Sequence, residues 1–347
     1  MKINIYPFEK LESQRAELKA KMNLPSTVRL DLAFDAVHGL NDLCRSLADL
    51  HPHKKSIAIL GAQPTPLREV ISGFAGQGFV VQELPVSLEV FDESKLQAAW
   101  DALKRDTLFV LTSVLEPFTA AVYPYEWVRV QGAKKNIFTL LYMSPDALLR
   151  GTIVPATPFE GIVMDPLWGD PTSIVAILRG ERCQGERLFW GEPHFSDEAL
   201  KKLEERIMAS TSLGAISSEQ RVAPASEDRA AVKDFENNIY QRLGSSVNLI
   251  GSNCRRYYDR AVLFISGVNG EALSHALAKS GFETFTSAAC AWNSPHLNQW
   301  LPKLGLTPES VESALIIPLK TLNQETFEEI LVSTIKEFQK LSDTARG

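Results

Sequence analysis

Between residues 28 and 200 short apolar runs alternate with helix-length stretches, and this alternation restricts the chain to a few architectures. The runs are Val28–Phe34, Lys55–Leu60, Phe79–Leu84, Thr107–Thr112, Ile137–Leu141, Gly161–Met164 and Ser173–Leu178. Helical stretches are read at 40–50, from the turn Gly61-Ala62-Gln63-Pro64-Thr65-Pro66 to about Gly76, at 93–104, and at 197–209. Strands separated by helices of about 10–15 residues indicate βαβ units and a mainly parallel sheet. Ahead of them, residues 8–22 place Leu11, Leu18 and Met22 on one helical face, and Pro25-Ser26 ends that helix.

A stretch rich in Ser, Ala, Gly and Pro at about 210–226 marks a boundary. Beyond it the pattern predicts helix 227–243, strand Ala261–Ser266, the turn Gly267-Val268-Asn269-Gly270, helix 271–280, strand Glu283–Ser287, helix 295–304, strand Ala314–Leu319 and helix 324–341. Asn323 suits an N-cap, and Glu325, Glu328 and Glu329 suit the positive end of the last helix. This is an α+β region with a small sheet. The chain of 347 residues is thus divided into a helical segment 1–27, a large α/β domain 28–212 and a small α+β domain 213–347.

Composition removes several function classes. With 36 Lys+Arg against 42 Asp+Glu, nothing favours nucleic acid or an anionic membrane. Cys44, Cys183, Cys254 and Cys290 are scattered without a C-x-x-C pair, which argues against a zinc ribbon and a secreted disulfide scaffold. The longest apolar runs are too short to span a bilayer, and Met1–Lys10 lacks the apolar core of a signal peptide. A cytoplasmic protein is expected.

The segment from Thr286 to Leu306 carries a Ser287-Ala288-Ala289-Cys290 loop followed by a helix ending Leu304-Gly305-Leu306. It resembles the cysteine desulfurase family of class V aminotransferases, as do Thr307–Ser310, Ile316–Leu319 and Asn323–Ile330 beyond it. Residues Ile57–Val86, with Gly78-Phe79-Val80-Val81 and Leu84-Pro85-Val86, and residues Thr107–Pro124 resemble two further family segments. The resemblance implies a type I pyridoxal-phosphate (PLP) transferase fold. It would have a mainly parallel seven-stranded sheet, a smaller C-terminal α+β domain, and a homodimeric assembly.

The same resemblance shows where the chain departs from the family. PLP chemistry needs a lysine to hold the aldehyde as a Schiff base. The family's His-Lys pair falls at Asp165-Pro166, and residues 136–200 contain no lysine. The stacking His falls at Pro64, and the Asn that meets the ring hydroxyl falls at Glu116 or Pro117. The phosphate anchor falls near Ala36-Val37-His38, the substrate-carboxylate Arg at Ile316, and the ring-nitrogen aspartate has no match within Ile137–Met143, Asp146 being the nearest acid. The expectation is a pseudoenzyme with PLP binding lost, no cofactor and no metal, acting by protein or ligand binding. The alternative is a PLP-dependent or persulfide-carrying transferase using Cys290, which matches the family's sulfur-accepting cysteine. Against that stands a plain packed-loop residue: no Lys, Arg or His lies within five positions of Cys290, and His296 is six away.

Other polar groups have two readings each. The turn before Thr65 either binds an anion or simply joins strand to helix. His51 and His53 lack a nearby third metal ligand. Asp165, Trp168 and Asp170 either line a remodelled pocket or cap a loop. Arg255-Arg256-Tyr257-Tyr258 reads as a partner contact or as an exposed hairpin or strand edge.

Overall fold

A computed structural model describes residues 8–22, 24–61, 63–86, 92–116, 119–145, 147, 159–165, 174–183, 197–212, 226–252, 254, 256–257, 260–286, 307, 312–319 and 324–346. They form two units. The first takes residues 1–85, 94–115 and 123–222, and the second takes 86–93, 116–122 and 223–347.

The first unit opens with α1 (Phe8–Lys21) and β1 (Arg29–Ala33). Next come α2 (Ala36–Leu50), β2 (Ser56–Leu60), α3 (Thr65–Gly76) and β3 (Val80–Leu84). It continues with α4 (Glu93–Asp101), β4 (Thr107–Ser113), α5 (Tyr125–Lys135) and β5 (Phe138–Met143). It ends with β6 (Gly161–Met164), β7 (Val175–Arg179) and α6 (Asp197–Ser212). The seven strands make one sheet in the order β1-β7-β6-β5-β4-β2-β3. Only β7 runs against its neighbours. β2, β4, β5, β6 and β7 are buried at every residue, as strands covered on both faces must be.

Helix α2 shows why these residues fold this way. Asp35 caps it by accepting the His38 N–H at 2.8 Å. Leu40, Leu43, Cys44 and Leu47 then recur at helical spacing, all with no exposure. A Cβ on Gly161 of β6 would stand 2.5 Å from the Leu43 side chain, so glycine sets how closely helix and sheet approach. On α4 and α5, Trp100 and Trp127 meet edge to face at 5.5 Å.

One buried ionic knot ties β1, β7 and α2 together. Arg179 on β7 has no exposed side-chain surface. Its Nε donates to Asp31 at 2.9 Å, one Nη to Ser46 at 3.2 Å, and the other Nη to Asp42.

The second unit holds α7 (Ser226–Leu243), β8 (Val247–Leu249), β9 (Arg260–Ile265), α8 (Gly270–Lys279), β10 (Phe285–Thr286), β11 (Ala314–Pro318) and α9 (Gln324–Arg346). Its sheet is antiparallel, in the order β10-β11-β9-β8. Phe235, Leu263, Leu273, Leu315, Phe327 and Leu331 belong to one buried core between this sheet and the helices.

The alternation read from the sequence is reproduced as a mainly parallel sheet of seven strands. Two elements were not anticipated. α5 buries only Tyr125, Val128 and Gly132, too few apolar positions to show a period, and β8 has three residues. The helix expected at 295–304 and the cap at Asn323 lie outside the described residues. Among the described residues, no helix is long and apolar enough to cross a membrane.

Candidate functional site

The strand order of the first unit defines where a ligand site belongs. After β2 the chain moves outward to β3, whereas from β4 it proceeds the other way through β5 and β6. In open α/β sheets, ligands bind outside the carboxyl ends of the strands where this direction reverses. Here that point is the gap between β2 and β4.

Polar side chains line the carboxyl ends. Gln63, 2% exposed, follows β2. Its Nε2 donates to the Leu60 carbonyl and its Oε1 accepts the Ser113 N–H at 2.7 Å, which clamps the β2 turn to the end of β4. The Ser113 hydroxyl donates to the Leu115 carbonyl at 2.7 Å. On the next two strands, the Tyr142 hydroxyl donates to Asp165 Oδ2 at 2.7 Å. Both residues are buried, and the Asp165 N–H continues the ladder to the Met143 carbonyl at 2.9 Å. Burial and the Asp165 carboxylate push the Tyr142 phenol well above its ordinary value, so it stays protonated and donates.

The residues matched to the family's cofactor contacts are placed as follows. Asp165 is turned onto Tyr142, and Pro166 lies outside the described residues. Pro64 is buried as the N-cap of α3. His38 is exposed on the first turn of α2, its Nδ1 2.7 Å from Asp35 Oδ2. A carboxylate thus already caps the helix end where the resemblance implies a phosphate anchor, and a phosphate there would meet like charge.

The remaining matches belong to the second unit. Glu116 has no exposure, and its Oε2 accepts the Thr119 N–H at 2.6 Å and the Thr119 hydroxyl at 2.7 Å. That loop carries Ala120 at φ +55°, a left-handed position that a side chain disfavours. Ile316 is buried on β11, with Phe285 and Val262 opposite it on the flanking strands. This row offers apolar surface where the resemblance implies a carboxylate-binding Arg. Pro117, Asp146, Trp168, Asp170 and Cys290 lie outside the described residues. The described residues therefore do not supply the family's own set of contacts to PLP.

One other reading is corrected. Arg256 is not an exposed hairpin residue: it is 1% exposed and its Nη2 pairs with Glu236 on α7. Among the described residues, no group of three or more His, Cys, Asp or Glu side chains stands where it could hold a metal ion. Cys44 and Cys183 are buried, and burial drives both thiols far up. Cys254 is pushed up to about 11, first by burial. None of these three suits a nucleophile.

No protein-family model and no curated protein matches this sequence. Solved structures do match. A NifS-like protein from Rickettsia africae superimposes with a TM-score of 0.67 at 13% identity, over 96% of this chain and 88% of that one. The apo cysteine desulfurase of Thermococcus onnurineus gives 0.67 at 10% identity, over 97% and 84%. The cysteine desulfurase CsdA of Escherichia coli gives 0.65 at 12% identity, over 98% and 88%. These matches correct the expectation that the chain takes no cofactor. The fold shared over nearly its whole length is the one the sequence resemblance ties to PLP, and it points to PLP. At these identities the likeness concerns architecture, and on that ground the chain has the fold of the cysteine desulfurases.

Proposed function

We propose that this chain is a non-catalytic protein on the desulfurase fold, acting by binding a ligand or a partner protein without a Schiff-base lysine. The Tyr142–Asp165 hydrogen bond supports this most. At the end of β6, where the resemblance implies a His-Lys pair, stands a buried carboxylate engaged by a phenol. Residues 136–200 offer no lysine to take over the role. Amine attack on an aldehyde requires such a lysine, and no side chain in that span replaces it. In the second unit, the position where the resemblance implies a carboxylate-binding Arg carries Ile316 in an apolar row. We read the protein as a homodimer on the resemblance and as cytoplasmic on its composition.

PLP is the ligand to test first. The protein is incubated with PLP, reduced with borohydride and weighed intact. The expected result is an unmodified mass, with any PLP released on denaturation. Stoichiometric pyridoxyl addition at one lysine would overturn the proposal. Sedimentation of the purified chain tests the dimer.

A further inference from the structure

Arg68 is a buried cation with which no carboxylate among the described residues forms an ion pair. It lies on the first turn of α3 and is 7% exposed. Its Nε is buried without a hydrogen-bond partner, and one Nη reaches back 3.3 Å to the Thr65 hydroxyl at the start of the helix. None of its nitrogens is within ion-pair distance of a carboxylate among the described residues. Burial lowers its pKa below the usual arginine value, and the titratable groups that act against this are the Tyr123 phenol, neutral near pH 7, and the exposed Glu69 on its own helix. The other buried guanidinium groups among the described residues each hold a carboxylate: Arg179 two aspartates, Arg256 Glu236 and Arg15 Glu12. A buried charge left uncompensated is costly, so its retention asks for a counter-charge from elsewhere.

The position of Arg68 says where that counter-charge sits. α3 starts at the carboxyl end of β2, and Gln63 clamps the intervening turn to Ser113 at the end of β4. Tyr123 is anchored at the same end of β4 by its N–H to the Val114 carbonyl at 3.0 Å. Arg68 therefore stands at the gap between β2 and β4, where the strand order reverses. The helix end itself is poor in donors. It has no side-chain cap, and Pro64 and Pro66 lack an N–H. Its dipole favours an anion, but the hydrogen bonds must come from the guanidinium fork, which matches the geometry of a carboxylate or a phosphate.

We propose that Arg68, with the Thr65 hydroxyl and the N-terminal end of α3, binds the oxyanion of a small ligand held at the carboxyl ends of β2 and β4. That oxyanion is a carboxylate or a phosphate. The inference rests on the reading of these strand ends as a ligand site. It implies that neutral analogues of the ligand bind weakly, because they leave the guanidinium buried and unmatched. Charge-assisted hydrogen bonds of this kind correspond to a loss of about 10- to 100-fold in affinity.

The test titrates the full chain with sodium phosphate or sodium acetate against sodium chloride at matched ionic strength, following thermal unfolding and calorimetry. Wild type is expected to gain stability saturably with one of the two oxyanions. The anion with the larger shift identifies the source as a phosphate or a carboxylate. Arg68→Gln is expected to weaken that response at least 10-fold while unfolding, without anion, at or above the wild-type temperature. Arg68→Lys is expected to fall between. An Arg68→Gln protein with an unchanged response would overturn the inference. So would wild type answering chloride equally, or Arg68→Gln failing to fold, since the arginine would then be a structural partner. Pyridoxyl addition at a lysine would sink the non-catalytic reading alone, because the Arg68 response is measured without PLP.

Discussion

Arg179 and Arg68 are buried guanidinium groups in the same unit, and they are treated in opposite ways. Arg179 is matched on three sides by Asp31, Asp42 and Ser46, drawn from β1 and α2. Arg68, beside the strand ends, has one hydroxyl contact at 3.3 Å and a bare Nε. A fully compensated charge belongs to the scaffold, whereas an uncompensated one at a ligand-binding position is held in readiness. The comparison separates the part of the molecule that maintains the sheet from the part that meets something outside the chain.

The largest expected effect breaks the scaffold side. Arg179→Met leaves Asp42 buried without its cation and Asp31 with Arg29 alone at 3.1 Å, and about 3–5 kcal/mol of stability is expected to be lost. Urea unfolding measures it as a lowered midpoint with an unchanged slope. Tyr142→Phe is next. It removes a donor from buried Asp165 and is expected to cost about 1–3 kcal/mol. If unfolding does not shift, the phenol is idle and the strand-end cluster is not built as described. Arg68→Gln, by contrast, is expected to leave the unliganded protein as stable as wild type or slightly more so. A loss as large as that of Arg179→Met would erase the distinction.

The smallest effect concerns His51, at the amino end of the sheet beside Phe138 at 5.1 Å. Partial burial, then Lys54, His53 and Arg182, lower its pKa from the ordinary 6.5. The folded state thus prefers neutral imidazole. Its contribution is complete above the unfolded value near 6.5 and is lost as pH falls through that value toward the lower folded one. His51→Gln is therefore expected to flatten the fall in melting temperature between about pH 7.5 and pH 5.5. An identical fall in both proteins would place the acid sensitivity elsewhere.

The framework was legible in the sequence because it rests on local pattern. Runs such as Lys55–Leu60 and Thr107–Thr112 announce strands by composition alone, and the strands formed are Ser56–Leu60 and Thr107–Ser113. The ionic knot was not legible: Asp31 and Arg179 are 148 positions apart and sit in apolar strands where a charge looks misplaced. Arg256 was misjudged for the same reason, since its partner Glu236 lies 20 residues earlier on another element. Of the candidate site, Asp165 was found through the resemblance, but its partner Tyr142 was hidden inside an apolar strand. Arg68 gave no signal, because an arginine on an amphipathic helix reads as a solvated charge until its burial is known. A cue was available at Pro64-Thr65-Pro66, where a helix starts with neither cap nor amide donors.

The central claim is that this fold is used here without a covalent amine tether. It is tested most directly by reducing the protein as purified from cells with borohydride and mapping its peptides. The account predicts that no lysine carries a pyridoxyl group. A single lysine modified in most molecules would contradict it.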